Sequence, residues 1–191
     1  IVFADANLER AVAGALWGGF TNSGQSCTSV ERLYVQANVA DAFRAKLLER
    51  LPKLTLGIDS DGSKDVGEMT QSVQRQIVVN QLQQAQSQGA RLLEGGTGDR
   101  SNASSESDGL QLRPTVVEGA PESASVWTDE TFGPVLALET FETEEDAIHL
   151  ANQGAFGLSA SVWSQNIERA TQVALRLQVG NVSINNVMVT E

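Results

Sequence analysis

The feature that most constrains this chain is a rhythm: short β-type runs alternate with stretches whose apolar residues recur at helical spacing. "IVFA" reads as a buried strand. It gives way at Asp5, Ala6 and Asn7, a suitable N-cap, to a helix through about Phe20 with Leu8, Val12, Ala15, Leu16 and Gly19 on one face. "RLYVQ" predicts a strand, and "VADAFRAKLLERL" predicts a helix carrying Val39, Phe43, Leu47 and Leu51 before Pro52. A polar loop over 57–70 leads to a helix in "QSVQRQIVVNQLQQAQSQGA", stopped by Gly89, and then to a strand in "RLLEG". Residues 95–109, rich in Gly, Ser and Asp, are expected to form a mobile excursion. "RPTVVEG", "VLALETF", "LSASVWS" and "NVSINNV" predict strands, with helices in "TEEDAIHLANQG" and "IERATQVALRLQVG". Helices between successive strands imply an α/β fold, a largely parallel open sheet flanked by helices on both faces. With 191 residues, no internal repeat and no convincing linker, one domain is expected.

Charge narrows the partners. A net charge of -11 disfavours partners that need clustered Lys and Arg to neutralise phosphates, so neither nucleic acid nor an anionic membrane is an expected partner. No apolar run approaches the length of a bilayer span, and "IVFADANLER" lacks the basic n-region and apolar h-region of a signal peptide. One cysteine cannot form an internal disulfide. These features fit a cytoplasmic enzyme, and the apolar opening reads as a chain entered midway.

That cysteine, Cys27, lies in "TNSGQSCTSVER". A lone cysteine commonly serves as a small buried apolar residue, but Gly24, Gln25, Ser26, Thr28 and Ser29 suit a core poorly. They suit a turn whose N–H groups face a ligand, where a thiolate and a developing oxyanion are both stabilised. No base accompanies it: the single histidine, His149, falls in a helix between Ile148 and Leu150 and reads as a surface or packing residue. Trp17, Trp127 and Trp163 read as packing residues, Trp17 and Trp163 because they sit in periodic elements. The acids Glu142, Glu144, Glu145 and Asp146 fit a helix N-terminus. No metal site is expected.

Several motifs in order resemble the NAD(P)-dependent aldehyde dehydrogenase superfamily across nearly the whole chain. "IVFADANLERAV" is similar to the strand and helix before its nucleophile, "GQSCTSVERLYV" to its G-Q-x-C segment and "DETFGPVLAL" to its E-x-F-G-P motif. "GLSASVWS" and "GNVSINN" resemble its later stretches. The resemblance implies that Cys27 attacks an aldehyde as a thiolate, forming a thiohemiacetal and then a thioester, with its own N–H as one oxyanion donor. It implies that Glu130 accepts hydrogen bonds from the nicotinamide-ribose hydroxyls of NAD or NADP and that Phe132 packs beside that ribose. Without the resemblance Glu130 reads as a solvated loop acid and Phe132 as a core anchor. Asn185, Gly24 and Gln25 are expected to support the geometry, and Ser26 and Thr28 to border the aldehyde tunnel.

The family's dinucleotide-binding domain, its general-base Glu in an L-E-L-G-G segment, its Asn oxyanion donor and its C-terminal oligomerisation strand have no counterpart in these residues. Residues 1–191 are therefore expected to be the nucleophile-bearing catalytic domain, nearly inactive alone, of a full-length protein that forms a homo-oligomer. Two alternatives stand beside this reading: a member that passes its thioester to coenzyme A, and a scaffold of the same fold that has lost its chemistry.

Overall fold

A computed structural model describes residues 1–58, 62–95 and 109–189. Apart from its first and last residues, the expected excursion at 95–109 lies outside them. In chain order the elements are α1 (Leu8–Phe20), a 3-10 turn (Thr21–Gly24), β1 (Arg32–Gln36), α2 (Ala37–Arg50), α3 (Ser72–Ser87), β2 (Arg91–Glu94) and β3 (Thr115–Glu118). Then follow α4 (Ser125–Thr128), β4 (Val135–Phe141), α5 (Glu144–Asn152), β5 (Ser159–Val162), α6 (Ile167–Ala174) and β6 (Asn181–Ile184).

Four strands pair in the order β1-β4-β3-β2, and β5 pairs with β6. The β1–β4, β3–β4 and β5–β6 pairings are parallel, while β2 and β3 run antiparallel. The two sheets meet at the opening residues. Val2 bridges Val35 on one side and Trp163 on the other. Val2 N–H donates to Tyr34 O (2.8 Å) and Phe3 N–H to Trp163 O (3.0 Å). "IVFA" thus serves as a short central strand.

Side chains alternate across the sheet with period two. Leu33, Val35, Val116, Leu136 and Leu138 enter the core shared with α1 and α2. Val117, Val135 and Ala137, on the opposite face, join Val78, Val79 and Ala85 of α3. Tyr34 and Phe141 meet α5 and α6 through Ala147, Ile148, Ala170 and Val173. The sheet is therefore largely parallel and covered on both faces.

Three boundaries differ from expectation for local reasons. The last helix stops at Ala174 because Asn152 intercepts the backbone beyond it, donating to Arg176 O (3.0 Å) and accepting from Gln178 N–H (2.8 Å). Strand β6 stops at Ile184 because Asn185 turns into the left-handed region (φ 52). Helix α4 is a single turn, too short to carry a periodic signal.

Candidate active site

The loop after α1 is shaped by its backbone. Asn22 (φ 52), Ser23 (φ 58) and Gly24 (φ 70) are all left-handed, which reverses the chain as it leaves the helix. Gly24 is required twice over: by its positive φ, and because a Cβ there would stand 2.1 Å from Gly133 O. The Cys27 loop thus lies directly on the Gly133–Pro134 turn.

Side chains then tie the loop to the stretch around Gly67–Thr70. Ser23 Oγ donates to Gly67 O (2.9 Å). The Gln25 amide donates to Glu68 O (3.2 Å) and accepts from Thr70 N–H (2.7 Å). Ser29 Oγ and Val30 N–H both reach back to Gly18 O, at 3.0 and 2.9 Å. The expected support by Gly24 and Gln25 is visible, and the polar stretch that reads as a plain loop turns out to brace it.

Between these anchors Cys27 is exposed, with a free thiol. Among the described residues its backbone N–H enters no hydrogen bond, so it can serve an acceptor placed beside the sulfur. Ser26 Oγ and Thr28 Oγ1 flank it, 3.1 Å apart.

The second segment, Glu130–Pro134, enters β4. Phe132 holds φ 45, a conformation that costs a bulky residue about 1–3 kcal/mol and persists only when neighbours enforce it. The neighbours are identifiable. From α3, Gln74 Nε2 donates to Thr131 O (2.8 Å) and Gln81 Nε2 to Glu130 O (3.3 Å). A Cβ on Gly133 would sit 2.5 Å from Val78 Cγ2, so the turn lies close on that helix. From the opposite side, the Glu31 carboxylate accepts from Thr131 N–H (3.0 Å) and Phe132 N–H (2.8 Å).

Cys27 and Glu130 border one open cavity of about 280 Å³, which Ser26 and Thr28 also line. Phe132 stands outside that lining, half-buried. Glu130 is exposed, and among the described residues its carboxylate makes no hydrogen bond or ion pair. An exposed carboxylate, acceptor on both oxygens, suits the vicinal hydroxyls of a ribose, so this acceptor fits a dinucleotide's sugar.

His149 is exposed on α5, pairs with Gln153 Nε2 (3.0 Å) and does not line the cavity. Asn185 grips Ser164 from both sides, accepting from its N–H (3.1 Å) and donating to its carbonyl (2.8 Å). Trp163 is buried, and Trp127 stacks on Tyr34 with ring centroids 5.9 Å apart. Trp17 corrects the packing expectation: it is 61% exposed, because the sheet-facing side of α1 is already filled by Val12, Ala15 and Leu16. No group of three or more metal-ligating side chains occurs among the described residues, and no helix among them is long and apolar enough to cross a membrane.

Sequence reasoning passes over Glu31, Gln74 and Gln81. Glu31 reads as one more acid beside a strand, and nothing in the sequence signals a bond across 100 residues.

Against known proteins, residues 1–191 match the aldehyde dehydrogenase family. The chain is 44% identical over 188 residues to 4,4'-diapolycopene aldehyde oxidase of Methylomonas sp., covering 98% of this chain and 33% of that protein. It is 36% identical to 2-hydroxymuconic semialdehyde dehydrogenase of Pseudomonas sp. (strain CF600), covering 97% of this chain and 38% of that one. The crystal structure of betaine aldehyde dehydrogenase from Staphylococcus aureus in complex with NAD+ superposes with a TM-score of 0.90 at 35% identity, over 99% of this chain and 37% of that one. The chain thus spans about a third of the length of the relatives it matches.

Proposed function

The chain belongs to the aldehyde dehydrogenase family, and on that basis we propose that its whole protein oxidises an aldehyde to a carboxylic acid with NAD or NADP. Within it, residues 1–191 form the domain that carries the nucleophile. One observation carries this reading: Cys27 and Glu130, from segments a hundred residues apart, border the same cavity, and the two segments are pressed together at Gly24 and Gly133.

The Cys27 thiolate adds to the aldehyde carbon, and its own N–H stabilises the oxyanion of the resulting thiohemiacetal. Glu130 holds the ribose of the bound dinucleotide and thereby places the nicotinamide, with Phe132 packed beside the sugar. The dinucleotide supplies one piece of chemistry, acceptance of the hydride that the adduct loses in becoming a thioester. Water then breaks the C–S bond, releasing the acid and returning the thiol. His149 stands outside the cavity, so proton transfer and the second oxyanion donor are assigned to parts of the protein beyond these residues. The 191 residues alone are accordingly expected to turn over very slowly, since loss of general acid–base catalysis alone costs roughly 10²–10⁴ in rate.

The test is a panel of aldehydes given to the whole protein with NAD, NADP and coenzyme A in turn. Acid formation is expected without coenzyme A, falling by roughly 10³-fold or more on Cys27→Ala. Mass spectrometry of the protein with a trapped aldehyde should find the acyl adduct on the Cys27 peptide. Silence across the panel sinks the oxidation reading, and an absolute need for coenzyme A replaces it with acyl transfer. Full activity in Cys27→Ala removes the nucleophile assignment.

A further inference from the structure

We propose that Glu31 is a positioning residue whose carboxylate clamps the Thr131–Phe132 backbone and so fixes the turn that presents Glu130 and Phe132 to the dinucleotide. The cofactor half of this statement rests on the function proposed above.

Glu31 is itself held firmly. Its carbonyl accepts from Ala137 N–H (2.8 Å), so its backbone is stitched to β4 at the mouth of the sheet. Its two carboxylate oxygens are divided between two amides, Oε2 on Thr131 and Oε1 on Phe132. Charged acceptors make the stronger class of hydrogen bond, and a carboxylate is the side chain that can take two parallel N–H groups at once.

The clamp completes a two-sided grip. Helix α3 takes the carbonyls of Glu130 and Thr131 through Gln81 and Gln74, and Glu31 takes the amides of Thr131 and Phe132. Thr131 is 1% exposed, so water cannot readily replace the Glu31 oxygen on its amide. Phe132 lies in the left-handed region (φ 45) and gains a reason to stay there from the bond on its own N–H. Glutamine keeps the shape but sets an NH₂ group against one of the two amides, so one bond is lost. The turn is then free to relax, and Glu130 and Phe132 relax with it. Because Glu31 lies four residues beyond Cys27, the segment that carries the thiol also sets the cofactor turn.

Two measurements on the whole protein test this, comparing wild type with Glu31→Gln and Glu31→Asp. The first needs neither substrate nor cofactor: amide hydrogen exchange at Thr131 and Phe132 should accelerate at least tenfold in Glu31→Gln, with the amides of β1 and β4 unchanged. In the second, the KM for NAD should rise about tenfold, while the aldehyde KM and the iodoacetamide labelling rate of Cys27 stay within about twofold of wild type. Glu31→Asp keeps the charge on a shorter arm and should fall between the two, which preserves the test if the glutamine variant does not fold. Unchanged exchange at both amides overturns the clamp. Faster exchange with an unchanged KM for NAD overturns its link to the cofactor, as does a parallel decline of every parameter. A wild-type protein that oxidises no aldehyde removes the proposed function and the cofactor link together, and the exchange measurement then judges the clamp by itself.

Discussion

At the residue scale, the loop that carries Cys27 owes its shape to what the side chains lack as much as to what they bear. Gly24 has no Cβ, and that absence lets the Cys27 loop rest on Gly133 O. Gly24→Ala has both to hold φ 70 and to clear a backbone oxygen 2.1 Å away. It is expected to cost at least about 2 kcal/mol and to change the iodoacetamide labelling rate of Cys27. Thermal unfolding and a labelling time course check both, and a variant that melts and labels like the parent chain would refute the packing described here. The contrast between Cys27 and Glu31 marks how far residues can be read in sequence. Cys27 stands out because its small polar neighbours are unfit for a core. Glu31 does not, because its role depends on amides a hundred positions away and on the direction of the strand between, neither of which leaves a local trace. Trp17 misleads for a different reason: its apolar character suggests packing, but it stands four residues after Ala13 and eight after Glu9, on the exposed face of α1 opposite Val12 and Ala15.

At the scale of elements, period was a sound guide wherever an element was long enough to show it. α1, α2, α3 and β4 were legible, while single-turn α4 and the early stop of α6 were not, since the latter is set by the Asn152 side chain from another helix. A comparable long-range tie joins α2 to β3 and β2. Glu118 of β3 is buried, and its carboxylate accepts from Arg44 of α2 (2.6 Å) and from Arg91 of β2. Burial pushes its pKa up, but the hydrogen bonds and charges of Arg44 and Arg91 outweigh it, and the carboxyl titrates below its ordinary 4.5. The folded state therefore binds the proton less readily than the unfolded state. The stabilisation is fully present above the unfolded value and is lost as pH falls through the lower, folded one. Glu118→Gln should cost about 1–2 kcal/mol at neutral pH, the low end for a buried partner because Arg91 is largely exposed. Urea denaturation at pH 7 and again near pH 3.5 should show that deficit shrinking in acid. A deficit that is the same at both values would assign the loss to packing instead of charge.

At the scale of the whole molecule, the parallel class of the sheet follows from the alternation of strands and helices, but the way its two parts join does not. Residues 1–3 make the seam: Trp163 N–H donates to Ile1 O (2.9 Å) on the β5 side, and Gln36 N–H donates to Val2 O (2.9 Å) on the β1 side. The Ile1 nitrogen adds to the seam, donating to Ser161 O (2.8 Å). In a polypeptide that starts at Ile1 this nitrogen is an ammonium, and burial lowers its pKa from 8.0 to about 5. Between these values the unfolded chain holds the proton and the folded chain does not, so the unfolded state binds more protons and stability rises with pH. The stability present above pH 8 is lost progressively as pH falls toward 5, by at most on the order of 4 kcal/mol. An acyl group on the same nitrogen replaces the ammonium with an amide, which cannot titrate and still donates to Ser161 O. Guanidinium denaturation of the 191-residue chain at pH 5.5, 7 and 8.5 should show this slope, and the Nα-acetylated chain should show a flatter one. Equal slopes in the two chains would mean that the seam opens to water at Ile1 and that the two sheets are held by the helices packed on them instead of by the strand between them.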